Sequence, residues 1–154
     1  MTGDHAGTVD VDRGAPVVVA DEIQVDAPAA VVWTLHTDVS GWVSWRSDID
    51  AAELTEPFAV GSTFHWSTGG LEIASTIREV RSHRRTVWGG PAAGIVGVHV
   101  WEFTPENNRT RVATVESWAG PTVEGDLTQA NIMLAAHITT WLRDLKRAAE
   151  TAAR

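Results

Sequence analysis

At 154 residues, with 44% hydrophobic and 21% charged side chains, the chain has the size and composition of one folded domain, which excludes a fibrous or wholly disordered class. Twelve Lys and Arg against twenty Asp and Glu leave a net charge of −8 with no basic patch to offset it, so nucleic acid is not an expected partner. The absence of cysteine removes disulfides, thiolate metal sites and cysteine nucleophiles, leaving only oxygen and nitrogen chemistry.

Residues 1–15 are rich in Gly and Asp without an apolar period and are expected to form a flexible tail, with residues 16–154 as a single domain. Val17 to Val25 reads as a first strand closed by Asp26-Ala27-Pro28, where Asp26 or Ala27 caps a helix and Pro28 fits its first turn. That helix carries Val31, Val32 and Leu35 on one stripe, and a second short helix spans Val39 to Trp45. From 48 to 118 the apolar period changes to two. A Gly69-Gly70 hairpin sets Trp66 opposite Ile73, Phe64 opposite Ser75 and Ser62 opposite Ile77, with Thr63, His65 and Ser67 on the polar face.

A turn at Ser82-His83 places Trp88 opposite Ile77. The glycine-rich stretch Gly89 to Gly94 lacks the Lys and Ser/Thr of a phosphate loop and reads as a flexible connection or a movable lid. The last hairpin turns at Asn107-Asn108, pairing Phe103 with Val112, Trp101 with Thr114 and His99 with Glu116. Asp126 then opens a long helix through a capping box with Gln129. Leu127, Asn131, Leu134, Ile138, Trp141, Leu142 and Leu145 share one face of it.

One apolar sheet face and one long amphipathic helix imply an α+β fold: a curved antiparallel sheet of about seven strands wrapped around the C-terminal helix, with two short helices after the first strand. Eight Trp with no Tyr and three Phe are more aromatic volume than a small core needs. Each buried Trp contributes on the order of 4–6 kcal/mol before ordering costs. Some are therefore expected to line a lumen, where the sheet and helix diverge, although any single one reads first as core packing.

Val25-Asp26-Ala27-Pro28 through Val32-Trp33, Trp42-Val43-Ser44-Trp45, Gly61 to Trp66, His99 to Phe103, and Thr110-Arg111-Val112 with Glu116-Ser117 and Gly120, in this order and spacing, resemble the SRPBCC superfamily. The similarity covers about residues 17–152 and is greatest to the polyketide cyclase/dehydrase and lipid-transport branch. The resemblance implies a START-like helix-grip fold with a lumen for hydrophobic small molecules; its members include carriers, receptors, chaperone activators and enzymes. The chain departs from aromatase/cyclase relatives in having no Tyr and in placing most Arg at turns or strand ends.

His99 and Glu116 are the candidate acid/base pair: His99 takes or returns a proton, and Glu116 orients it. The alternative is a buried polar pair that satisfies itself or holds the polar end of a ligand. The expected lumen wall comprises Trp45, Phe64, Trp66, Ile73, Ser75, Ile77, Trp88, Trp101, Phe103, Thr114 and Trp118, faced by Asn131, Leu134, His137, Ile138 and Trp141 of the helix. His36, His65 and His83 are expected to be solvent-exposed. No metal or other cofactor is expected, as no His-Glu-x-x-His motif occurs, and no serine nucleophile, as no Gly-x-Ser-x-Gly elbow occurs.

Two functions remain open: a cyclase/dehydratase acting on an apolar carbonyl compound, and a carrier of a lipid, sterol or aromatic metabolite. A chaperone-activating module would instead need a filled core and an exposed apolar patch. Without a leader-like start or a run near the roughly 18 apolar residues of a membrane span, the expectation is a cytoplasmic monomer or weak homodimer with no stable membrane insertion.

Overall fold

The computed structural model describes residues 9–154. Strand β1 (Val17–Val25) leads into helix α1 (Ala29–Thr37) and a 3-10 helix (Val39–Ser44). Strands β2 (Ala51–Glu53), β3 (Thr63–Thr68), β4 (Leu71–Arg81), β5 (Arg85–Ala92), β6 (Ile95–Glu106) and β7 (Arg109–Ala119) follow. A one-turn helix α2 (Pro121–Glu124) precedes the long helix α3 (Leu127–Ala152). The strands form one antiparallel sheet in the order β1-β7-β6-β5-β4-β3-β2, and α3 packs along its inner face: the α+β helix-grip fold.

Local chemistry explains the registers. Gly69 and Gly70 both have positive φ, which the two-residue hairpin requires, and Trp66 faces Ile73 while Phe64 faces Ser75. Asn107 takes φ 59° at the β6–β7 turn, so Phe103, Trp101 and His99 meet Val112, Thr114 and Glu116. Ile77 faces Trp88 for a reason the sequence does not reveal. The β4–β5 loop has three residues, 82–84, with Arg81 facing Arg85, and an extra residue at Arg78 bulges β4 and cancels the shift. Asp126 accepts from the Gln129 amide at 3.0 Å, as a helix cap should. Pro28 stands at the N-cap of α1 rather than inside its first turn, and no side chain caps that helix. Helix α2 was not foreseen.

The core gathers at one end of the grip. Trp42, Phe64, Ile77, Trp88, Trp101, Phe103 and Trp141 are buried there with Leu134, Ile138, Leu142 and Leu145 of α3. Trp42 stands edge-on to Phe64, their centroids 5.4 Å apart, and Trp141 lies 5.0 Å from Trp101, separations typical of favourable aromatic pairs.

Residues 1–8 of the expected tail lie outside the described residues, but residues 9–15 do not form a loose tail. Val11 is buried against Val87 and Val100 on the outer sheet face. The Val9 amide donates to Glu79 Oε1 at 3.2 Å, the Asp12 amide donates to Ser117 Oγ at 3.0 Å, and the Arg85 guanidinium bonds the Val9 carbonyl. An apolar row on the outer face is covered by this strap, which is why the segment is ordered despite its composition.

Strands β5 and β6 approach closely at Gly89, where an added Cβ would stand 2.2 Å from the Gly97 carbonyl oxygen. Gly89→Ala is expected to destabilise the fold by about 1–3 kcal/mol. The effect is read as a lower urea midpoint at unchanged m-value.

Candidate functional site

Inward side chains shrink abruptly beyond the tryptophan core. In β5, Trp88 is followed on the same face by Gly90 and Ala92; in β6, His99 is preceded by Gly97. Gly90 and Gly97 face each other, and Gly97 also faces Trp118 of β7. The missing side-chain volume leaves a cavity of about 420 Å³. Trp66, Trp88 and His99 border its inner end; Leu71, Ile73, Ser75, Ile95, Glu116 and Trp118 line its sides; and Met133, Ala136 and His137 of α3 cover it.

Of the expected wall, Trp66, Ile73, Ser75, Trp88, Trp118, His137, His99 and Glu116 line this cavity. Phe64, Ile77, Trp101, Phe103, Leu134, Ile138 and Trp141 do not: they fill the packed end, where sheet and helix are closest. Thr114 sits behind His99, Trp45 packs on the flank of the core, and Asn131 points to solvent because its place on α3 lies outside the buried stripe. The sequence reading missed Gly90, Gly97, Ala92, Ala136 and Met133. The usable signal was the run of small residues on inward positions, since a cavity forms where side chains are absent.

The Thr114 hydroxyl has one proton, and its 2.8 Å bond to the Val100 carbonyl uses it. The 2.8 Å contact between Thr114 Oγ1 and His99 Nε2 therefore needs a ring N–H donor. That assigns the Nε2–H tautomer and turns the Nδ1 lone pair toward Glu116 Oε1, 3.2 Å away. Burial, reinforced by the Arg46 charge, holds His99 well below the ordinary imidazole range. Burial pushes the Glu116 carboxyl up to about 7, against the opposing influence of His137, Trp118 and Arg46. Trp118 Nε1 donates to Glu116 Oε2 at 3.0 Å, while buried Oε1 has no well-aligned hydrogen bond. Both ring nitrogens of His99 thus face protein groups, and Glu116 is the member of the pair whose pKa is brought near neutrality.

A second polar pair flanks the cavity from the helix side. His137 stacks on Trp66 at 5.9 Å and 20°, and its Nδ1 lies 2.9 Å from Asp48 Oδ2. Asp48 in turn meets Arg46 Nη2 at 3.2 Å. Burial raises the Asp48 carboxyl, but the hydrogen bond from His137 and the charges of Arg46 and His137 outweigh it and hold it below the usual carboxylate range.

The Arg46 side chain is fully buried, its guanidinium 3.5 Å from the Trp141 ring centre and about 5 Å from those of Trp42 and Trp66. Burial lowers its pKa to about 10, with Asp48, Asp144 and Glu116 opposing, so it remains a cation at neutral pH. Sequence reasoning found neither Arg46 nor Asp48. It also placed His36 in solvent, whereas His36 is fully buried with Nε2 2.8 Å from Thr86 Oγ1, and burial plus the Arg46 charge lower it to about 3. His65 and His83 are exposed, as expected.

Among the described residues, no helix is long and apolar enough to cross a membrane. Several solved structures share the fold. The TTHA0849 protein of Thermus thermophilus superposes with a TM-score of 0.76 at 16% identity, covering 89% of this chain and 99% of that one. The Zhui aromatase/cyclase of a Streptomyces species gives 0.72 at 17% identity, covering 89% and 95%. A START superfamily protein of Mycobacterium smegmatis gives 0.66 at 12% identity, covering 88% and 96%. No curated protein matches the sequence. A profile of the family described as polyketide cyclase/dehydrase and lipid transport matches residues 16–150. The hollow helix-grip architecture and this match over most of the chain place the protein in the polyketide cyclase/dehydrase and lipid-transport family of the SRPBCC superfamily.

Proposed function

We propose that the cavity takes a flat, uncharged, largely apolar carbonyl compound, and that Glu116 delivers a proton to its oxygen in chemistry of the cyclase/dehydratase kind. The observation that carries this reading is the Glu116 carboxyl set against the His99 ring in a largely apolar cavity, where burial pushes its pKa up to about 7. A protonated carboxyl donates to a carbonyl, and a pKa near the working pH suits a general acid. Trp66, Trp88 and Trp118 offer aromatic surface to a planar ligand. Among the described residues no Lys or Arg lines the cavity, so a carboxylate ligand such as a fatty acid would meet no ammonium or guanidinium there. The volume of about 420 Å³ suits a compact ring system.

A carrier function is the second reading, favoured by the engagement of both His99 nitrogens with the protein. Glu116→Gln separates the two because the amide still donates a hydrogen bond but cannot give up a proton. A suitable probe is 3-hydroxytetralone, which loses water to become fluorescent 1-naphthol. The wild type is expected to accelerate this reaction and Glu116→Gln to lose the acceleration about 100-fold or more while still binding tetralone by tryptophan quenching. Binding of tetralone with no acceleration by the wild type selects the carrier.

Gly97→Leu tests the cavity itself. An added Cβ at Gly97 meets nothing closer than 3.5 Å, so the fold tolerates it while the longer side chain fills the space. Tetralone quenching is expected to weaken at least about tenfold, with thermal stability near wild type.

Glu116 also predicts a pH dependence. Its folded pKa of about 7 lies above the ordinary 4.5, so between these values the folded state binds more protons than the unfolded chain. The stabilisation is complete below 4.5 and is lost as pH rises through about 7. His36 and His99 act oppositely, losing stability as pH falls below 6.5, but they are common to wild type and variant. The stability of Glu116→Gln relative to wild type is therefore expected to rise by on the order of 3 kcal/mol across that window, measured by urea unfolding at each pH.

A further inference from the structure

We propose that His137 is a catalytic base that removes the proton from the carbon beside the ligand's carbonyl, with Asp48 and Arg46 as positioning residues. This inference rests on the reading of Glu116 given above and adds the partner that reading lacks. His99 cannot be that base, because its two nitrogens face Thr114 and Glu116. His137 differs: Nδ1 is committed to Asp48 at 2.9 Å, which leaves Nε2 as the nitrogen available to a molecule in the cavity it lines.

Three contacts fix the His137 ring. It stacks on Trp66 at 5.9 Å, meets the edge of Trp141 at 5.5 Å, and is held in plane by Asp48. His99 lies against the same Trp141 at 5.1 Å, so the two imidazoles flank one buried indole, His99 from the sheet and His137 from the helix, each beside a carboxyl. Asp48 is itself anchored by Arg46, whose guanidinium is packed against Trp141. An imidazole backed by a carboxylate accepts a proton readily, because the cation that forms is paired at once.

The step balances. His137 Nε2 takes the proton, the C–H electron pair becomes the C=C bond, and the carbonyl π pair takes the proton of Glu116. The products are an enol, a Glu116 carboxylate and a His137 imidazolium paired with Asp48. Where the next carbon carries a hydroxyl, the enol proton returns to Glu116, the C=C pair shifts, and the hydroxyl leaves as water with the imidazolium proton. Both residues are then restored.

Tetralone, which has the acidic C–H but no leaving group, isolates the first step. In D₂O the wild type is expected to exchange its α-hydrogens for deuterium well above the buffer rate, followed by NMR. His137→Gln is expected to lower the enzymatic rate by about 100-fold or more, and Asp48→Asn by about tenfold, with tetralone quenching retained. Should His137→Gln fail to fold, His137→Phe keeps the stack on Trp66 and serves in its place. Exchange at the wild-type rate in a folded His137 variant overturns the proposal, as does binding without exchange by the wild type. If the wild type does not bind tetralone at all, the reading of the cavity falls, and this inference with it.

Discussion

The placement of one cation organises the interior. The Arg46 guanidinium lies on the face of Trp141 from α3 and is flanked by Trp42 and Trp66, so a single side chain ties the long helix to the 3-10 helix and to β3. Burying a charge this way is costly unless it is paired, and the nearby carboxylates of Asp48 and Asp144 answer it. Ser47 holds Asp144 by two hydrogen bonds, through its amide at 2.7 Å and its hydroxyl at 2.8 Å, which fixes the segment carrying both Arg46 and Asp48 against the helix. Burial holds His36 and His99 below the ordinary imidazole range, and the Arg46 charge acts in the same direction on both.

Packing and hollowness come from different residues. At one end the interior is filled by indole and phenyl rings at separations of about 5–6 Å. At the other, glycine and alanine occupy the equivalent inward positions and leave space. Trp88 stands at the boundary, touching the core through Trp42 and Phe64 and the cavity through its remaining surface.

Much of this was legible in the amino-acid order. Alternation around Gly69-Gly70 and Asn107-Asn108 gave the register that puts His99 beside Glu116, because a one-residue slip would have turned an apolar face outward. The extent of the cavity was not legible, since period-two patterning says which side chains point inward but not where sheet and helix part. Trp101 and Trp66 both point inward from the sheet, yet one is sealed in the core and the other lines the cavity. Arg46 and Asp48 lie between regular elements, where no periodicity reports burial, and their pairing with the distant His137 exists only once α3 is in place. The tautomer of His99 was equally hidden, because it depends on the Thr114 hydroxyl and its bond to the Val100 carbonyl, which alternation does not report.

The strap formed by residues 9–15 has a consequence for how this molecule meets others. Its anchors reach Glu79 on β4, Arg85 on β5 and Ser117 on β7, so it crosses the convex side of the sheet and shields the valine row there from contact with neighbouring molecules. The hollow opens on the opposite, concave side, so its mouth and the strap lie on different faces of the sheet.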